Sequence, residues 1–211
     1  MSKIQEVSAA TEAGKSKLIA GLVQEALDGG DKAADILNAM IKSMGVVGDR
    51  FSTGEIFVPE MLIAAKTMQK GVEVLKPILA GDEGTVSLGK CIIGTVAGDL
   101  HDIGKNLVAI MIESTGFEVI DLGVDVSTDK FMEAIKANPD VKIVACSGLL
   151  TTTMPAMKET VKAIRDSGMT GFKVMVGGAP ITPEFADEIG ADAYTPDAGS
   201  AAVKAKELAT A

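Results

Sequence analysis

A chain of 211 residues that is 47 % hydrophobic can bury a proper core, so wholesale disorder is excluded. Aromatic residues are only 3 % and tryptophan is absent, so the core must be aliphatic, built from Ala, Val, Ile, Leu and the 11 methionines. A net charge of −9, without a cluster of lysines and arginines, disfavours nucleic acid as a partner, because phosphate contacts need a basic face.

Residues 1 to about 80 carry no strand signal. Leu18, Ile19, Leu22, Val23 and Ala26 form a helical stripe that ends at Asp28-Gly29-Gly30. Asp31 can cap the next helix, whose apolar face is Ala34, Ile36, Leu37, Met40, Ile41 and Met44. Gly45 to Gly54 reads as a looser stretch around Phe51. A long helix then opens near Glu55, with Pro59 suited to its first turn, and runs through Met61, Ala64, Ala65, Met68, Val72 and Leu75 toward Pro77. A four-helix bundle is the economical arrangement for such helices. Ala80 to Leu88, where Gly81, Asp82, Glu83 and Gly84 cluster, reads as a linker, which divides the chain into 1–87 and 88–211.

Beyond residue 88 the rhythm alternates. Strands read at 90–97, 117–122, 141–146, 172–176 and 191–194, with helices near 103–115, 128–137, 155–167, 183–189 and 198–208. Five strands, each followed by a helix, predict a doubly wound parallel sheet with helices on both faces. A flavodoxin-like order 2-1-3-4-5 fits, with its switch point beside the first strand. Cys91 and Cys146 fall in two of these strands, roughly 15 Å apart by strand rise, which suits reduced, buried spacers rather than a disulfide. The chain has no apolar run of membrane length, and its first residues, Met1 to Glu6, are polar; a cytoplasmic protein without membrane contact is expected.

The loop leaving the first of these strands, Gly98-Asp-Leu-His-Asp-Ile-Gly-Lys-Asn106, holds the chain's only histidine, His101. The helix that follows has Ile103, Leu107, Ile110 and Met111 on one face. Open α/β sheets bind ligands at the carboxyl ends of their strands, where this loop lies. A carboxylate at Asp99 can take the second ring N–H of a metal-ligating imidazole and fix its tautomer. A lone loop histidine is, however, ordinarily a solvated or hydrogen-bonded side chain. Gly94, Gly98, Gly104, Gly177 and Gly178 each read singly as a turn, but together at strand ends they favour a channel in which backbone approaches a ligand.

The string Asp99-x-His101-x-x-Gly104, followed by Ser147-x-Leu149 and then Gly177-Gly178, resembles the vitamin-B12-binding domain of methionine synthase and the corrinoid proteins of methyl-transfer systems. The helical segment before it matches as well. The resemblance implies a methyl carrier that binds cobalamin, cycling through methylcobalamin, with His101 as the lower ligand to cobalt in place of the cofactor's own base. It implies that Asp99 accepts the imidazole N–H and that a hydroxyl continues the chain; here that position holds Thr153 where the methionine synthase pattern has serine. His101, Asp99 and Thr153 would then carry the chemistry. Asp102, Ile103 and Gly104 would border the cofactor, and Ser147 and Thr151 would hydrogen-bond its nucleotide tail, with Leu149 packed on it. Gly177 and Gly178 would line the slot, and Tyr194 would flank it or sit as a half-buried edge aromatic. Ile56-Phe57-Val58-Pro59-Glu60 resembles the family's apolar cap over the methyl group; Phe57 is its candidate contact, against an ordinary place in the bundle core. The implied partners are a donor-specific methyltransferase, a second methyltransferase using tetrahydrofolate or a thiol, and a reductive activator. Rival readings are a B12-sensing regulator, a carbon-skeleton mutase subunit and a cofactor-free signalling domain. The regulator would require a DNA-binding module and, in its light-sensing form, a bundle tryptophan, and the chain offers neither.

Overall fold

The computed structural model describes residues 2–79 and 88–210. Ala80 to Ser87 of the expected linker lie outside the described residues. The chain divides into two compact units with the break after Ser87; Ser114–Gly116 group with the first unit.

The first unit holds four helices among its described residues: α1 (Lys3–Glu12), α2 (Ile19–Asp28), α3 (Ala33–Ser52) and α4 (Val58–Leu79). Neighbours around the bundle are α1 with α2 and α3, and α4 with α2 and α3. Methionine dominates the interior: Met40, Met44, Met61 and Met68 are buried with Ile19, Ile36, Val47 and Leu75. Gly71 leaves the space that Met40 fills, since a Cβ there would lie 2.2 Å from its Cε.

Several local expectations change here. Ser2 caps α1 through a capping box with Gln5, a reciprocal pair that satisfies two amides at the helix start. α3 continues unbroken through Gly45 to Phe51, because Val47 and Gly48 are buried in it and packing overrides the two glycines. Lys32, not Asp31, stands at its N-cap, without a side-chain bond. Leu18 is exposed at the start of α2 and takes no part in its buried face of Ile19, Val23 and Ala26. α4 runs past Pro77 to Leu79.

The second unit is a five-stranded parallel sheet in the order β2-β1-β3-β4-β5, the 2-1-3-4-5 order that the strand count suggests. Its strands are β1 (Lys90–Thr95), β2 (Glu118–Asp121), β3 (Val141–Ser147), β4 (Lys173–Gly177) and the short β5 (Ala193–Tyr194). Its helices are α5 (Ile103–Glu113), α6 (Thr128–Ala137), α7 (Met154–Asp166), α8 (Pro183–Ile189) and α9 (Ala198–Thr210). β1 is buried from Cys91 onward and β3 almost throughout, as central strands covered on both faces must be. α5 packs with α9, while α6, α7 and α8 pack in succession. Ser127 and Thr182 cap α6 and α8, and Gly190 ends α8 in a left-handed conformation at φ +79°.

Both cysteines are free and buried. The register sets Cys146 opposite Gly94, three residues along from Cys91, so their separation is about 10 Å along the strand and shorter than strand ends alone suggest. Burial pushes both thiols up to about 12, so neither is a nucleophile at neutral pH.

Gly94 does not border a channel. A Cβ there would stand 2.9 Å from Phe131 Cζ and 3.2 Å from Val126 Cγ2, so this glycine exists to seat Phe131 in the core. Gly94→Ala is expected to destabilise the unit by about 1–3 kcal/mol, the usual range for an overpacked site. Phe131→Leu in the same chain should recover part of that loss; chemical denaturation of the two variants measures both.

Candidate functional site

Strand order reverses between β1 and β3, and the loops that leave these two strands border the crevice where open α/β sheets take ligands. The β1 loop turns at once: Asp99 N–H donates to Val96 C=O at 3.1 Å, with Gly98 at φ +81° inside the turn. Only glycine adopts that φ freely at the third residue of such a turn. The turn drives the Asp99 side chain inward, and Asp99 is fully buried.

Five donors meet its carboxylate. Oδ1 accepts His101 N–H at 3.1 Å and lies 2.6 Å from His101 Nδ1. Oδ2 accepts Leu149 N–H at 2.6 Å, Leu150 N–H at 3.3 Å and the Thr153 hydroxyl at 3.0 Å. Burial by itself raises the Asp99 pKa. The bonds from Leu149, the His101 ring, the His101 amide and Thr153 outweigh it and hold the carboxyl well below its ordinary range. Thr153 Oγ1 also lies 2.9 Å from Leu150 C=O, so its single proton chooses between that carbonyl and Asp99. Thr95 Oγ1 donates to His101 C=O at 2.8 Å and fixes the far side of the histidine.

With Nδ1 held by Asp99, His101 presents its other nitrogen, Nε2, from a side chain that is 50 % exposed. Nearby in the two loops Leu100 is 72 % and Ile103 82 % exposed, Leu149 and Leu150 are exposed as well, and Asp102 is an exposed carboxylate among them. Ile103 therefore departs from the apolar face expected of its helix; α5 buries Lys105, Met111 and Ile112. An imidazole nitrogen left over beside exposed apolar side chains is available to a ligand, a metal among them.

The remaining candidates divide clearly. Ser147 and Gly177 end β3 and β4 and pair with each other, and Gly148 N–H donates to Gly177 C=O at 3.1 Å. Gly178, at φ +131°, comes so close to the β3 loop that a Cβ would fall 1.8 Å from Gly148 C=O. Gly104 has open space before it at the start of α5. Asp102 is exposed and accepts from Asn106, through its backbone C=O at 2.7 Å and its side chain at 3.3 Å. Thr151 is exposed in the single turn Thr151–Thr153. Tyr194 is half-buried on edge strand β5 and packs against the sheet's core. Phe57 belongs to the other unit, where it is 68 % exposed rather than part of the bundle core, with its N–H accepted by Glu60 at 3.1 Å. Sequence reasoning does not find the Leu150 amide, Thr95 or Asp125, whose carboxylate accepts Gly98 N–H at 2.7 Å. Backbone amides leave no residue-type signal, and the other two partners lie outside the motif.

A doubly wound sheet that presents an imidazole at its switch point, braced by a buried carboxylate, defines a cofactor-binding α/β protein. The known proteins narrow the class. Residues 89–205 match the model of the B12 binding domain, and residues 3–76 match a second model of the same description. Dimethylamine corrinoid protein 1 of Methanosarcina mazei is 40 % identical over 206 residues, 97 % of this chain and 95 % of the relative. Trimethylamine corrinoid protein 2 of Methanosarcina acetivorans is 43 % identical over 200 residues, 93 % of this chain and 88 % of that one. The methanol:cobalamin methyltransferase complex MtaBC of Methanosarcina barkeri contains a chain with TM-score 0.82 and 27 % identity, covering 99 % of this chain and 80 % of that chain. The chain belongs to the family of B12-binding corrinoid proteins.

The buried carboxylate makes a pH prediction. Its folded pKa lies below the ordinary 3.8, so its stabilisation is complete above that value and fades as pH falls toward the folded pKa. Asp99→Asn should cost about 2–3 kcal/mol at pH 7, the scale of hydrogen bonds to a charged group. The deficit should shrink on acidification below the ordinary carboxylate value; denaturation curves of both proteins at neutral and acid pH measure it.

Proposed function

We propose that this chain is the methyl-carrying corrinoid subunit of a methyltransferase system, with His101 as the protein's ligand on the lower face of cobalt. The observation that carries the reading is the imidazole itself: Nδ1 is engaged by the buried Asp99 and Nε2 is left to the crevice. When bound, the corrinoid supplies a cobalt centre that takes up and gives away a methyl group.

The residues of the chain do the rest. Asp99 fixes the tautomer in which Nε2 carries the lone pair, and Thr153 supplies a proton donor to that carboxylate. Leu100, Ile103 and Leu149 would supply apolar side chains against the corrinoid and exclude water there, with Asp102 and Gly104 at its border. The hydroxyls of Ser147 and Thr151 would hold the nucleotide tail, with Gly177 and Tyr194 beside it and Gly178 closing the β3 and β4 loops on each other. Phe57, exposed in the helical unit, is the apolar side chain that the resemblance assigns to a cap. A cap of this kind keeps water from the reacting carbon and must move to admit each partner.

In keeping with the corrinoid proteins and the methyltransferase complex it is similar to, as a carrier it would work with separate proteins. These are a methyltransferase specific for the methyl donor, a second methyltransferase that hands the group to tetrahydrofolate or a thiol, and a reductive activator that rescues oxidised cobalt. The names of the two relatives favour a methylamine as donor. No described helix is long and apolar enough to cross a membrane; the cytoplasmic setting is read from the partners named here.

Two experiments test this. In the cobalt(II) form, the electron paramagnetic resonance signal should show nitrogen splitting that changes from triplet to doublet lines when the protein, and not the corrinoid, carries nitrogen-15. Splitting that ignores the label would mean that the cofactor's own base is the ligand. Separately, residues 88–211 should fold alone and bind hydroxocobalamin at one per chain; an insoluble or colourless fragment would refute an autonomous cofactor domain.

A further inference from the structure

Asp125 is the one non-glycine residue with positive φ among the described residues, at +51°. Aspartate tolerates that left-handed conformation better than most residues do. Both its side chain and its backbone reach the segment that carries His101. Oδ1 accepts Gly98 N–H at 2.7 Å, and Asp125 N–H donates to Asp99 C=O at 2.9 Å. The two bonds close a reciprocal clamp across the peptide between Gly98 and Asp99.

The clamp stands on fixed ground. The loop after β2 is tied to the end of β1: Thr95 N–H donates to Gly123 C=O at 3.0 Å, Val126 N–H donates to Thr95 C=O at 2.9 Å, and Val96 bridges to Val126. At the near end of the same loop, Asp121 holds the buried ammonium of Lys105, in the first turn of α5. The segment from Asp121 to Val126 therefore grips the histidine loop on both sides, through Asp125 before His101 and through Asp121 after it.

We propose that Asp125 is a positioning residue for the His101 imidazole, an inference that rests on the reading of His101 as the cobalt ligand. The Asp99 carboxylate is fixed from inside by Leu149, Leu150 and Thr153, and its backbone is fixed from outside by Asp125. Only the two together define the direction in which Oδ1 holds Nδ1, and so the direction of Nε2. Without the outer bond to Gly98, the turn can rock about the buried carboxylate and the ring no longer points one way. The bond is charge-assisted, which makes it stronger than a neutral one at an exposed site.

Two variants separate the side-chain acceptor from the backbone. Asp125→Gly keeps the left-handed backbone and the N–H to Asp99, and removes the acceptor for Gly98. Asp125→Asn keeps backbone and acceptor and removes only the charge. In the apoprotein, the Gly98 amide of the glycine variant should exchange with solvent about tenfold faster, the order expected for loss of one such bond. In the hydroxocobalamin-loaded protein reduced to cobalt(II), the same variant should lose part of the protein-nitrogen splitting. Its cobalt(II)/cobalt(I) potential should move positive, because an axial donor favours cobalt(II). The asparagine variant should return all three toward the wild type. A glycine variant with wild-type splitting and potential, even if it melts lower, would reduce Asp125 to a structural residue and overturn the proposal. A wild-type protein without protein-nitrogen splitting would overturn the ligand reading, and this proposal with it.

Discussion

One buried carboxylate holds this site together. A carboxylate removed from water without partners is costly enough that it protonates instead or unfolds its surroundings. Asp99 avoids both because its own loop supplies two donors and the loop after β3 supplies three. The arrangement binds two separate loops to each other, since neither can leave without stranding a charge. His101, although it sits on a loop, is thereby tied to that pair of loops through its amide, its carbonyl and its ring.

That use of polar groups explains the character of the outer surface. With the carboxylate, the Leu149 and Leu150 amides and the Thr153 hydroxyl turned inward, the exposed side chains of the two loops are mainly the aliphatic Leu100, Ile103, Leu149 and Leu150, with Asp102, Thr151 and the half-exposed His101 among them. A large planar cofactor needs such a face: apolar area for affinity and one polar atom for orientation. The contact of Gly178 with Gly148 serves the same end by different means. It brings the backbones of two neighbouring loops together where any side chain would force them apart.

Much of this was legible in the chain. The change from helical to alternating rhythm separates the helical first part from the sheet, and the apolar runs of β1 and β3 mark central strands. The triple spacing of Asp99-x-His101-x-x-Gly104, Ser147-x-Leu149 and Gly177-Gly178 marks the loops that meet at the crevice. Other features were not legible, for reasons that can be named. Gly94 looked like its fellow glycines, and only the position of Phe131 shows that it serves the core. The glycines at 45 and 48 suggested a break in α3, but buried neighbours outweigh the propensity of single residues. Ile103 matched a helical stripe and nevertheless faces outward, because the first turn of α5 buries Lys105 against Asp121 instead.

The sequence by itself determined most of the elements, the order of the strands, and the residue types that can serve a corrinoid, because periodicity and glycine placement act over a few neighbours along the chain. It also determined the family, since three motifs at fixed separations are hard to meet by chance. Tertiary structure alone decided which groups meet. That Asp99 is buried, that its partners are the amides of residues 149 and 150, and that Asp125 clamps Gly98 from the next loop all depend on contacts between residues 27 to 54 positions apart. Backbone amides are present at nearly every position, so no pattern of side chains announces which of them will be brought to a carboxylate. Only the folding of β1 beside β3, with the loop after β2 closing from the other side, makes that choice.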